Sequence, residues 1–138
     1  MRRLMLAFGL LFASIALAQV ELAVIVNSES RLDGISDAEL SRIFLSKTKR
    51  LPTGEVAHPV ELSSGPDKVG FYRKVSGKKD IELRKYWATM IFTGNGHPPK
   101  QFRSAEDLLH YVTANPGAIA YLPRDAVDDS VKVLRIIK

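Results

Sequence analysis

The chain has no cysteine. Disulfides, thiol nucleophiles and cysteine metal sites are therefore excluded, and stability has to come from a hydrophobic core. Histidine is scarce. His58, His97 and His110 lie far apart, with no second ligand at metal spacing such as H-x-x-x-H. No G-x-S-x-G elbow is present to expose a serine nucleophile. The carboxylates are scattered: Asp33, Asp37, Glu39, Asp80, Glu82, Glu106 and Asp107 read mostly as caps or first-turn residues, and Asp128 and Asp129 as a solvated turn. Nothing here points to an enzyme, a metal or a cofactor.

Long apolar runs are also missing, with one exception at the start. Arg2 and Arg3 precede a nearly unbroken apolar stretch over residues 4–17, and Ala16, Leu17 and Ala18 form an A-x-A site. That is the pattern of a secretory signal peptide over residues 1–18. A membrane anchor needs about 20 apolar residues, and Glu21 comes too early. No cysteine is available for a lipid. Cleavage before Gln19 leaves 120 of the 138 residues and lowers the net charge from +5 to +3 by removing two arginines. Residues 19–138 are then one exported, periplasmic domain, large enough for a core. Its basic residues are scattered, which argues against nucleic acid as a partner.

"VELAVIVN" is almost wholly apolar and β-branched. It reads as a strand buried on both faces, as is typical of parallel sheets. In "ISDAELSRIF", Ser36 and Glu39 form a capping box ahead of Leu40, Ile43 and Phe44. "LPTGEV" is a turn and "HPVEL" a short strand, with Pro59 at its start or on an edge. Pro66 fits a first helical position, and Val69, Tyr72 and Val75 recur behind it at helical spacing. Gly77 ends that helix. Asp80 is positioned to cap the next, whose apolar face is Leu83, Trp87, Met90 and Ile91. "TGNGHPPK", residues 93–100, is irregular, either a functional loop or a connector. Ser104 and Asp107 open a helix carrying Leu108, Leu109 and Val112. "AIAYL" and "VKVLRII" are strands. The order β, α, β, α, α, α, β, β predicts an α/β domain with a mixed, partly parallel sheet flanked by helices.

Two features can bind something. Arg73, Lys74, Lys78, Lys79, Arg84 and Lys85 mark the polar faces of successive helices, a solvated surface or a partner patch. Ser63, Ser64 and Gly65 form a small-residue turn between a strand and a helix. Such a turn leaves N–H groups and a partial positive charge open to an anion, and it equally serves as an ordinary cap.

"ISDAELSRIFLSKTKRLPTGEVAHPV", "ELSSGPDKVGFY" and "NPGAIAYL" follow one another here in an order that resembles the phosphate-binding proteins of ABC phosphate transporters. That family consists of type II periplasmic binding proteins, two-lobed, with phosphate between the lobes. The chain looks like a single lobe. The resemblance aligns Ser64 and Gly65 with the family's Ser-Gly-Thr phosphate loop. It implies that Ser63, Ser64, Gly65 and the N–H groups of Asp67 and Lys68 meet a phosphate-like oxyanion. Pro66 stands in place of the family's Thr, removing a hydroxyl and an N–H together. The family's nearby Arg is absent, and Glu61 would repel an anion if it pointed inward. Two expectations follow: weak oxyanion binding, or a ligand-free module that keeps the lobe and docks onto an envelope or membrane protein.

Overall fold

The computed structural model describes residues 9–11 and 20–138. Apart from residues 9–11, the expected signal peptide and the cleavage point before Gln19 lie outside the described residues. Among those described, no helix is long and apolar enough to cross a membrane.

The strands are β1 (Leu22–Asn27), β2 (His58–Leu62), β3 (Lys100–Phe102), β4 (Ala118–Pro123) and β5 (Val131–Ile137). The helices are α1 (Asp37–Phe44), α2 (Pro66–Ser76), α3 (Asp80–Phe92) and α4 (Ala105–Ala114). One five-stranded sheet runs β3-β2-β4-β1-β5. β2 is parallel to β3 and β4, while β1 is antiparallel to β4 and β5. The sheet is mixed and partly parallel, as expected.

Strand alternation divides the core. Leu22, Val24, Val26, Ile119 and Tyr121 face α1, α2 and α3. Ala23, Ile25, Val60, Ala120 and Leu122 face α4. Full burial of each large aliphatic side chain contributes about 1.5–3 kcal/mol. The all-apolar β1 is buried on both faces because helices cover both faces of the sheet. The inference from that burial to parallel neighbours was wrong, since both of its partners run antiparallel. Burial reports covering layers and says nothing of strand direction.

Local signals explain several boundaries. The Ser36 hydroxyl accepts from Glu39 N at 3.1 Å, and the Glu39 carboxylate accepts from Ser36 N at 2.9 Å. Ser104 Oγ accepts from Asp107 N and opens α4. The far end of α4 is held by buried Asn27, whose amide donates to the carbonyls of Val112 and Thr113. Those are last-turn carbonyls with no partner inside the helix. Gly117, before β4, sits where a Cβ would come within 2.1 Å of the Val56 carbonyl oxygen. Only glycine allows the chain to pass there.

The departures from expectation have physical causes. Lys79, not Asp80, is the N-cap of α3, and no side chain caps it. Asp80 lies inside the first turn and pairs with Arg84 at 2.8 Å. On α2 the buried residues are Phe71, Tyr72 and Val75, and Val69 is exposed. Phe71 stacks on Tyr121 with ring centroids 3.7 Å apart, an interaction that turns the helix toward the sheet. On α3, Leu83 and Trp87 are buried and Met90 partly so, whereas Ile91 is exposed. The helix rests on α2 along a narrow stripe, and Ile91 lies past its edge. Finally, β3 follows the irregular loop directly. A three-residue strand carries no readable period and exists by pairing with β2.

Candidate functional site

The turn between β2 and α2 forms at the end of a parallel strand. Pro66 is the first helical residue, and Gly65 is the N-cap at φ 131°, a conformation that favours glycine. No side chain caps this helix. Ser63, Ser64 and Gly65 are exposed, and Asp67 and Lys68 are half-buried. Ser64, Asp67 and Lys68 meet around a crevice completed by Leu62, Tyr121 and Pro123. The crevice holds about 10 Å³, room for roughly one water. Ser63 and Gly65 stand outside it. The Ser63 N–H donates to the Phe102 carbonyl at 2.9 Å and so extends the β2–β3 pairing.

Behind the turn lies a carboxylate with no solvent exposure. Glu61 Oε1 accepts from the hydroxyls of Tyr72 at 2.8 Å and Tyr121 at 2.9 Å. Oε2 accepts from the Gln101 amide at 3.2 Å and pairs with Lys68 Nζ at 3.2 Å. A carboxylate offers about four lone-pair sites, and four donors occupy them here. Glu61 thus points into the α1–α2 side of the core, and its charge is answered by Lys68. The Lys68 side chain keeps 27% exposure, so this pair lies at the boundary between core and turn.

The two tyrosines carry a consequence for pH. Burial, reinforced by the negative charge of Glu61, raises both phenols well above their usual 10.0. Their folded pKa exceeds the unfolded one, so the native state keeps protons that the unfolded chain releases above pH 10. Stability is unaffected by these groups below that pH and falls as pH rises beyond it. The slope is about 1.4 kcal/mol per pH unit for each tyrosine. Urea melts between pH 9 and pH 11.5 should show this decline, and Tyr121→Phe should make it shallower. An unchanged slope in that variant would mean that Tyr121 does not control alkaline unfolding.

The residues singled out from the sequence are therefore brought together in part: three line the crevice and two flank it. Sequence reading missed the Glu61 cluster. Its partners stand 11, 40 and 60 residues away at Tyr72, Gln101 and Tyr121, so no local spacing announces it. The one available signal was an acidic residue between the apolar Val60 and Leu62 of a short strand.

No family model matches the chain. Solved structures do. An ABC-type phosphate transport receptor from Vibrio cholerae aligns with TM-score 0.63 and 15% identity, over 84% of this chain and 46% of the receptor. A phosphate ABC transporter substrate-binding protein with bound phosphate, from Clostridium perfringens, aligns with TM-score 0.65 and 18% identity, over 84% and 45%. PstS from Borrelia burgdorferi aligns with TM-score 0.56 and 12% identity, over 83% and 47%. The chain spans less than half the length of each of these three. Its α/β fold, a five-stranded mixed sheet flanked by helices, is that of one lobe of a phosphate-binding protein of this kind.

Proposed function

We propose that residues 19–138 act as an exported, periplasmic solute-binding domain. In this reading it takes phosphate or a similar oxyanion weakly at the start of α2. The Ser63 and Ser64 hydroxyls and the N–H groups of Asp67 and Lys68 are the donors, and Gly65 leaves room for the anion. The observation that carries this reading is the exposed N-terminus of α2, which no side chain caps. The lobe fold, shared with a protein that holds phosphate, adds support. Export rests on the N-terminal sequence pattern.

The energetics set the strength. A helix dipole contributes roughly 0.3–1 kcal/mol to a nearby anion, and each hydrogen bond to a charged acceptor about 1.5–3 kcal/mol. Against these stand desolvation of the anion, the N–H missing at Pro66, the Ser63 N–H already in use, and the Glu61 charge behind the turn. The balance is an affinity on the order of millimolar, about −4 kcal/mol.

One observation favours the other reading, a ligand-free module that docks onto an envelope protein. Lys68 is the cation that lines the crevice at the turn, and its ammonium is already paired with Glu61. An NMR titration with inorganic phosphate decides between the two. Binding should shift amides of residues 63–68 saturably in the millimolar range, and Ser64→Asp should abolish the effect by repulsion. No shift there at tens of millimolar phosphate would favour the docking module.

A further inference from the structure

A groove opens at the opposite end of the sheet. His58 begins β2, Lys100 begins β3, and Gly117 precedes β4, so it lies at the N-terminal ends of the three parallel strands. A length of β2, roughly 15 Å, separates it from the Ser63 turn. Its volume is about 380 Å³, within the ~300–1,000 Å³ typical of small-molecule sites.

The lining has one sign of charge. Lys49, Lys100, His58 and His97 border the groove, together with the hydroxyl residues Ser46 and Thr48, and no carboxylate does. Among the described residues, neither lysine has an ion-pair partner. Lys100 is nonetheless held in place. Its ammonium lies 4.9 Å from the Tyr111 ring centre and 5.5 Å from that of Phe102. A cation already positioned in this way loses little freedom when a ligand arrives. His97 Nδ1 donates to the Pro98 carbonyl at 3.0 Å, which leaves Nε2 as the nitrogen free for contact. The walls are apolar, formed by Ile43, Pro59, Pro99 and Tyr111.

The rim is formed by His97, Pro98 and Pro99, which end the Gly- and Pro-rich stretch of residues 93–99. That stretch sits tightly: a Cβ on Gly96 would come within 2.8 Å of Met90 Cε and 3.0 Å of Ser46 Oγ. Two consecutive prolines fix the backbone beside the groove. That composition, unexplained by the turn at the far end, gives this groove a stiff edge.

We infer that the groove binds a small organic anion. Its phosphate or carboxylate head lies between Lys49 and Lys100, and its flat apolar body lies along Tyr111 and the prolines. An excess of unpaired positive charge in a concave, partly apolar site concentrates anions there. This site is independent of oxyanion binding at α2, because the two share no residue.

The test is an amide-resolved NMR titration of the mature protein with phenyl phosphate, and in parallel with benzoate and benzyl alcohol. Phenyl phosphate should shift the amides of residues 46–49, 56–58, Gly96, His97 and Lys100 saturably at millimolar concentration. Benzoate should do the same more weakly, and neutral benzyl alcohol should not saturate. The double variant Lys49→Gln, Lys100→Gln should raise the Kd at least about tenfold. Both lysines are exposed, so the variant keeps its fold, which its spectrum will show. Absence of saturable shifts at this end, an undiminished affinity in the double variant, or equal binding of benzyl alcohol would overturn the proposal. Shifts at residues 63–68 alone would overturn it too, while supporting the site at α2.

Discussion

Replacing Glu61 by Ala is expected to cost about 2–6 kcal/mol of stability, at about 1–3 kcal/mol for each of the two buried hydroxyls that lose their acceptor. Four donors converge on this carboxylate. Two of them, the Tyr72 and Tyr121 hydroxyls, belong to buried residues. Gln101 and Lys68 reach the surface and can recover hydration, so they add less. Against a total stability of about 5–15 kcal/mol for a natural domain, the loss is large. Urea denaturation measures it directly. A midpoint unchanged from the parent would mean that the tyrosines find other acceptors and that the cluster is not what joins β2 to α2. Glu61→Gln separates charge from hydrogen bonding. Its amide oxygen can still accept from the tyrosines, while its NH2 group opposes Gln101 and Lys68, so a smaller loss is expected. That variant also removes the negative charge behind the Ser63 turn and releases Lys68. If phosphate binds at the start of α2, the Gln variant should bind it more tightly than the parent.

Trp87→Ala should be comparably damaging. Trp87 is 8% exposed and belongs to the cluster that includes Leu83 and Val75. Its ring also meets Tyr86 edge-on, at 5.0 Å between centres and 68°, and Tyr86 in turn donates its hydroxyl to the Leu45 carbonyl. α3 therefore attaches to the rest of the domain through a few aromatic contacts on a narrow stripe. Truncating a buried Trp typically costs about 3–5 kcal/mol, because contacts vanish and a cavity remains. For a domain of this size that corresponds to a melting point lower by about 10 °C or more. Calorimetry of the variant would show it. A melt within a degree or two of the parent would mean that α3 is dispensable to the fold and that Trp87 serves as a contact surface.

The features legible in the sequence are those settled within a few residues. The capping box at Ser36 and Glu39 completes itself over one helical turn. Pro66 at the head of α2 and Gly77 at its end act through their own backbone geometry, and Gly77 donates its N–H to the Arg73 carbonyl within the same turn. The unbroken apolar run of β1 and the spacing of Leu83 and Trp87 record which faces are covered. These suffice for an α/β domain of mixed sheet and for a helix opening on a Ser-Ser-Gly turn.

Other features depend on partners distant in the chain, and tertiary structure alone decided them. β1 is equally apolar beside parallel or antiparallel neighbours, so its direction waited on β4 and β5. β3 is too short to show a period and exists because β2 is there to pair with. Val69 and Ile91 carry the right spacing yet face water, because the stripes of α2 and α3 that meet a neighbour are narrower than their apolar sequence. Glu61 shows the same limit in electrostatics. Its cost or benefit near an anion turns on where its carboxylate points, and that is set by Tyr72, Gln101 and Tyr121 on three other elements. Local sequence specifies hydrogen bonds a turn away. The burial of a charge is decided by whichever donors the folded chain brings to it.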